Sequence, residues 1–367
     1  MRRLLPAPLA DRVVRELRRR AVAEDVAGRT TRVATGWEVG NVLLNRSPLP
    51  MRIQHAALRP TRLTFDRRVA AWLRPGNEAV VGYQGATTTT FRRARKLGIA
   101  TVLDYPIAHY AVTESLLRAE ARLVPEYART MRVVEYPAWL RHRYAEEMEL
   151  ADRIVMVSPH HQRTFEAAGI DPRKLFVVPW YVDCELFTPA SEVDEGRFRV
   201  AFLGQITQRK GISYLIEGFA RAGLADAELL LIGAPIGATP WKGKKGVVHV
   251  PPMPRFMLPE TLGQCHVIVL PSLVEGFPIS VLEGMACGLP CIISENIGDD
   301  FVQEGVDGFV VPIRDPDAIA ERLRELHVDR GRRRRMAVAA RAKAERFTQQ
   351  RYSENLLSGL RQLVDGT

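Results

Sequence analysis

The sequence predicts an α/β protein made of two doubly wound domains, and three observations carry this expectation. The chain has 367 residues, more than one ordinary domain of roughly 100–200 residues holds. From residue 79 onward, runs of about four apolar, largely β-branched residues alternate with amphipathic stretches, the pattern of buried parallel strands joined by helices. Several of these runs stop at a glycine or a proline, as at Gly204, Gly233 and Pro271. Such turns follow the carboxyl ends of parallel strands, where ligands bind in this class.

Taken in order, residues 1–60 are the least regular part. They are arginine-rich, with a helical fragment at 11–22 and a proline-containing stretch at 47–50. No strong opening strand with a glycine turn is found there. Strands are expected at 79–83, 100–104, 153–157 and 175–178, which make a first α/β domain. Residues 184–197, with Pro189 and four acidic side chains, read as a linker. Beyond it, strands are expected at 200–203, 229–232, 247–250, 267–270, 291–294 and 309–312, with helices at 212–222 and 279–287 between them. Asp315-Pro316 opens a further helix, Asp as N-cap and Pro at the first helical position. Capping explains that Asp-Pro-Asp spacing better than a metal site does. The run from Arg332 to Arg335 reads as the solvated face of a surface helix.

Composition narrows the class. The chain is 46% hydrophobic and 26% charged, which excludes a disordered tail, a fibre and a disulfide miniprotein. No stretch approaches the roughly 18 apolar residues of a membrane span, and the basic N-terminus lacks the apolar core of a signal peptide. Four cysteines suit a reducing, cytoplasmic setting, and the Cys287/Cys291 pair finds no partners for a metal site. The net charge of +10 is uneven: residues 1–190 hold 30 basic and 20 acidic side chains, residues 191–367 hold 22 of each. A basic face for phosphates or an anionic membrane is one explanation, and arginine-rich composition bias is the other. No basic-aromatic stripe or recognition helix supports nucleic-acid binding.

The chemistry concentrates after two strands of the second domain. Residues 271–290 contain Glu275 in a turn and Glu283 on the helix that follows. Eight helical residues rise about 12 Å, too far for two carboxylates to share a proton but suited to opposite ends of one extended ligand. The helix start between them would favour a diphosphate. After the first strand of this domain, Gly204-Gln205 leads to Arg209-Lys210-Gly211. Parallel strand ends face one cleft, so these two cations would meet the same ligand, and fixed cations suit a departing phosphate. Either feature alone would be explained by solvated surface charge; the set is not.

These residues resemble the donor domain of family 4 glycosyltransferases. The similarity runs through 202–211, through Pro271-Ser-Leu-Val-Glu-Gly-Phe to Leu282-Glu-Gly-Met-Ala-Cys-Gly-Leu-Pro290, and through Asp307-Gly-Phe-Val-Val-Pro312. Upstream, 149–158 and 168–189 are similar to the family's domain junction, so that the resemblance covers roughly 79–360. It implies the GT-B fold, two Rossmann-like domains facing a central cleft. The boundaries are then 1–188 for the acceptor side, 189–345 for the donor side, and 346–367 for a C-terminal helix crossing back. It also implies retaining transfer, metal-independent and without a required cofactor, from a nucleotide-sugar co-substrate (UDP- or GDP-linked) to a glycan, lipid-linked or small-molecule acceptor. Carried over, Glu283 would hold the donor ribose, Lys210 with Arg209 would neutralise the leaving diphosphate, and Glu275 would sit beside the transferred sugar. Gly204, Gln205, Gly276, Phe277 and Leu282 would line the donor. His109 would be the N-domain histidine facing the sugar, while His160 and His161 read as a helix-start pair.

Three departures accompany the resemblance. Gln205 stands where the family often has Arg. Pro278 replaces a glycine and removes one amide, although it suits a first helical position. The opening strand, glycine turn and helix are not found, so the N-terminal domain is expected to lack a unit of about 30–45 residues. Two alternatives to transfer stay open: a non-catalytic or truncated nucleotide-sugar-binding protein, and another GT-B enzyme such as an epimerase. Family acceptors are often membrane-proximal, so a peripheral contact of the basic half with anionic lipid is also expected.

Overall fold

The computed structural model describes residues 28, 30–31, 51–131, 134–237, 239–298 and 301–364. The expectations for the helical fragment at 11–22, the stretch at 47–50 and the opening strand–helix unit fall outside these residues. By packing, the chain divides into two units, Met1–Leu103 with Pro137–Asp152, and Asp104–Tyr136 with Arg153–Thr367. The expected boundary at 188/189 lies within the second unit.

In chain order the first half contains α1 (Met51–Trp72), β1 (Ala79–Tyr83), α2 (Thr88–Leu97), β2 (Ala100–Asp104), α3 (Tyr110–Leu123), α4 (Ala138–Leu150), β3 (Arg153–Met156), α5 (Pro159–Ala167) and β4 (Leu175–Val177). The second half contains β5 (Phe198–Leu203), α6 (Ile212–Ala222), β6 (Ala227–Ile232), β7 (Val247–Val250), α7 (Leu258–Leu262), β8 (Val267–Leu270), α8 (Ile279–Ala286), β9 (Cys291–Ser294), β10 (Gly308–Val311), α9 (Pro316–Val328), α10 (Arg330–Ala344) and α11 (Gln349–Val364). Every strand read from the sequence is present, with ends displaced by two residues at most.

In the first unit, β1 lies beside β2. Thr87 caps α2 without a side-chain hydrogen bond, and partners from elsewhere take over. The carboxylate of Glu147 on α4 accepts the amides of Gly85, Thr87 and Thr88, and Asp66 on α1 accepts those of Thr89 and Thr90. Arg143 lies 2.6 Å from Asp66 and offsets the buried negative charge. Orphan N-terminal amides are thus satisfied across tertiary contacts.

In the second unit, β3 pairs with β4 in parallel. The six later strands form an all-parallel sheet in the order β10-β9-β8-β5-β6-β7. Chain order reverses direction between β5 and β8, which is the doubly wound arrangement with its switch point there. All four residues of β8 and of β9 are buried, as strands covered on both faces require. The core joins Phe202, Leu231, Ile268, Leu282, Ile293 and Phe309. Asp315 caps α9 by accepting the Ala318 amide at 2.9 Å, with Pro316 next to it, as expected. In α11, Gly359 packs against the ring of Phe176 on β4.

One surface expectation is corrected. Arg333, in the run read as solvated, is 5% exposed. It hydrogen-bonds the Leu326 carbonyl, pairs with Glu195 and lies over the ring of Phe198. The stem and guanidinium of an arginine can serve packing as well as charge, and its acidic partner sits 138 residues away, beyond any local pattern. Among the described residues no helix is long and apolar enough to cross a membrane.

Candidate active site

The switch point places the turn after β5 against the turn after β8. Gly204 follows the last residue of β5, and a 3-10 turn at Gln208–Lys210 comes after it. Gly211 closes that turn at φ 69°, and a Cβ there would lie 2.0 Å from the Pro271 carbonyl oxygen. Only glycine allows this contact, which holds the turn bearing Lys210 against the end of β8. Gly211→Ala is expected to lower the melting temperature by several degrees, since strain of 1–3 kcal/mol is usual for such a position and the contact adds to it. An unchanged melt would show that the contact relaxes freely.

The result is a buried ion cluster. Lys210 Nζ is 2.9 Å from Glu275 Oε2, and Arg209 Nη1 is 3.4 Å from Oε1. Ser272 Oγ donates to Oε2 at 3.0 Å, and Arg209 also donates to the Val274 carbonyl at 2.6 Å. Lys210 is 9% and Glu275 8% exposed. Burial alone would raise the Glu275 pKa; the charges of Lys210 and Arg209, with hydrogen bonds from Lys210 and Ser272, outweigh it and bring the value to about 2. Glu275 is therefore a permanent carboxylate at working pH and cannot serve as a proton donor.

Glu283 lies on α8, as read from the sequence, and is 6% exposed. Its Oε1 accepts from Arg255 Nε at 2.9 Å. Burial raises its pKa, and Arg255 acts against that rise. Arg255, which also lies over the Phe187 ring, carries no sequence signal: it is one arginine among many, and its partner is 28 residues on. Gly276 sits where a Cβ would be 2.3 Å from the Pro106 carbonyl oxygen, so the Glu275-Gly276 turn touches the loop after β2.

Other expected donor residues go elsewhere. Leu282 is fully buried in the core, and Phe277 packs on Phe301 and Phe347. Both side chains pack in the core, and the Leu282 amide is taken by the Pro278 carbonyl at 3.0 Å. Pro278 stands at the cap of α8, one residue before its first helical position. The amides of Ile279 and Val281 are taken by the carbonyls of Phe277 and Pro278, so this helix start offers fewer free donors than the sequence implied. Gln205 is exposed and lines a cavity of about 250 Å³ with Arg209, Thr207, Ile107 and Tyr136.

His109 and His161 sit at two different helix starts. His109 caps α3, its Nδ1 accepting the Ala111 amide at 3.3 Å. It lines a cavity of about 560 Å³ with Val112, Leu116, Asn296 and Ile313 and makes no hydrogen bond to Glu275. His161 is at the start of α5, as read, with Ser158 as cap. Its ring, however, is fully buried, with Nε2 2.7 Å from the Glu275 carbonyl. A carbonyl only accepts, so Nε2 carries the proton and donates. Alternation of side-chain direction at a helix start is not visible in a His-His pair, which is why the sequence missed this contact.

His109, His161 and His266 all have pKa values lowered to about 4, chiefly by burial. They stay neutral in the folded chain, whereas unfolded histidine titrates at 6.5. Their stabilising contribution is therefore complete above about pH 6.5 and is lost as pH falls toward 4. Glu275 adds a loss between 4.5 and about 2. Thermal melts should fall steadily from pH 7 to 4, each histidine contributing roughly 1 kcal/mol per pH unit; a flat profile to pH 5 would show that these rings are not held neutral.

Residues 197–329 match the family model described as Glycosyl transferases group 1. Over 221 residues the chain is 28% identical to the D-inositol 3-phosphate glycosyltransferase of Paenarthrobacter aurescens, 54% of each protein being covered. The chain spans about half the length of the curated relatives it matches. Among solved structures, sucrose-phosphate synthase from Thermosynechococcus elongatus superposes with a TM-score of 0.65 at 18% identity, over 88% of this chain and 82% of that one. Anabaena HepE in complex with UDP superposes with a TM-score of 0.63 at 15% identity, over 83% and 82%. The fold is that of GT-B glycosyltransferases, built on two Rossmann-like domains. The ion cluster at the switch point lies inside the segment that matches the group 1 glycosyltransferase model.

Proposed function

We propose that this protein is a retaining glycosyltransferase of family 4 that moves a hexose from a UDP- or GDP-linked donor to a glycan, lipid-linked or small-molecule acceptor. The observation that carries this is the buried cluster of Lys210, Arg209 and Glu275 at the switch point, eight residues before Glu283. An ammonium has three N–H donors; one is taken by Glu275, and the others suit the leaving diphosphate. Fixed cations lower the cost of the negative charge that appears as the glycosidic bond breaks. Glu275, always ionised, faces the opposite charge, the oxocarbenium character of the sugar, and stabilises it. Glu283 takes the ribose hydroxyls through Oε2, Oε1 being occupied by Arg255. Solved complexes of HepE with UDP and with UDP-glucose support a donor of this chemistry. His109 contributes from the acceptor side, with domain boundaries at 188/189 and at 345/346. The charge of the leaving group is carried by side chains, so activity should survive EDTA.

The test is a thermal-shift and hydrolysis screen of nucleoside diphosphates and their sugars. A specific diphosphate should raise the melting temperature by mass action, and the matching nucleotide sugar should be hydrolysed or transferred. Binding without turnover of any donor would favour a non-catalytic sugar-nucleotide protein, and product without acceptor dependence an epimerase. We place the enzyme in the cytoplasm with its basic half at anionic lipid. Liposome co-sedimentation that ignores salt and lipid charge would remove that part.

A further inference from the structure

The cationic turn is seated on a second buried polar cluster. Gln208, immediately before Arg209 and Lys210, is 0% exposed. Its amide donates to Thr130 Oγ at 2.8 Å, and its side-chain Nε2 donates to Glu120 Oε1 at 2.6 Å and to Ser213 Oγ at 2.6 Å. Its remaining side-chain oxygen accepts the Ser213 amide at 3.1 Å. Glu120, on α3, is also fully buried, and its Oε2 accepts from Arg314 Nε at 2.7 Å. Arg314 has φ 61° without being glycine, a conformation that surrounding contacts must hold. Burial, with the Glu120 carboxylate nearby, also raises the Tyr214 phenol pKa.

The amide and both side-chain polar atoms of Gln208 thus have partners from α3, the 3-10 turn Pro125–Thr130 and α6, its carbonyl accepts the Gly211 amide, and Glu120 is held in turn by Arg314 from the loop after β10. A fully satisfied buried network specifies one geometry, whereas removing one member leaves its partners unpaired. The turn that follows Gln208 carries both cations that meet Glu275. The same helix that supplies Glu120 is capped by His109, eleven residues and about 16 Å away along its axis. We infer that Gln208, seated on Glu120 and Thr130, is a positioning residue that sets Lys210 and Arg209 against Glu275. The consequence for turnover rests on the transfer proposed above; the consequence for Glu275 does not.

The experiment follows the Glu275 carboxyl by ¹³C NMR in Glu-labelled full-length protein, assigned with Glu275→Gln. In the wild type it should remain ionised at about pH 4. In Gln208→Ala, and in the milder Thr130→Val, the cations lose their seat and the carboxyl should take up its proton near or above its ordinary 4.5. Glu120→Gln combined with Gln208→Glu reverses the polarity of the hydrogen bond and should restore the wild-type titration. With a donor in hand, Gln208→Ala should lose about a hundredfold in kcat with a smaller change in KM, the cost of an ångström-scale displacement. Wild-type titration in both Gln208→Ala and Thr130→Val, or no recovery in the double variant, overturns the assignment. A wild type that neither binds nor turns over any donor overturns the function instead and leaves this titration to stand or fall alone.

Discussion

Lys210→Ala should reduce turnover by a factor of about 10²–10³, the usual loss when one fixed partner of transition-state charge is removed. The substitution acts twice. It takes a donor from the departing diphosphate, and it leaves Glu275 buried with Arg209, at 3.4 Å, as the remaining cation. Breaking a buried ion pair from one side commonly costs about 3–5 kcal/mol, and the residual Arg209 and Ser272 contacts place the expected loss at the lower end. Melting should therefore fall together with kcat. Lys210→Arg separates the two effects: it keeps the charge but not the compact ammonium, so stability should largely return while turnover stays depressed. Steady-state donor hydrolysis alongside thermal melts measures both, and wild-type turnover in Lys210→Ala would end the assigned role.

Glu283→Ala should abolish measurable donor binding while leaving the fold intact or slightly stabilised. Glu283 is buried, and burial raises its pKa, which marks a carboxylate held at a cost to the empty protein. Two hydrogen bonds from a ribose diol to a charged acceptor are together worth roughly 3–6 kcal/mol, more than two orders of magnitude in affinity. Isothermal titration with the diphosphate found in the screen reads this directly. Glu283→Gln, which keeps an oxygen acceptor but not the charge, should fall between. Undiminished affinity in Glu283→Ala would move the ribose elsewhere and call for Arg255 as the nucleoside contact.

Much of this site was legible because its signals are local. Residues 267–270 and 291–294 can be little other than buried strands, and the glycines and prolines after them mark where a ligand can approach. Glu275 and Glu283 stand out through their spacing around one helix start, and Asp315 through its place before a proline. What stayed hidden depends on partners far away in the chain. Arg255 reaches Glu283, Arg333 reaches Glu195, and Gln208 reaches Glu120 across 88 residues. No periodicity encodes such pairs. His161 was placed on the right helix start, but its ring direction is decided by the turn at Glu275. Pro278 missed by one position because the Ile279 amide turns back to Phe277 before the helix begins. Arg333 shows that a run of like charges need not be uniformly solvated when one member finds an acid beneath it.

The arrangement around α2 sets the first half of the chain apart from the second. Both halves repeat the motif of strand, glycine turn and helix, the device by which a protein grips phosphate. In the first, Glu147 and Asp66 already occupy the place an anion would take, on amides of Gly85 and Thr87 to Thr90. An incoming phosphate would have to evict two inward-facing acids and strand Arg143, at several kcal/mol for each ion left unpaired. The first half has, in effect, swallowed its own counterfeit ligand. That socket is closed to an outside anion by hydrogen bonds and an ion pair within the first unit, so its strand, turn and helix hold the chain's own carboxylates instead.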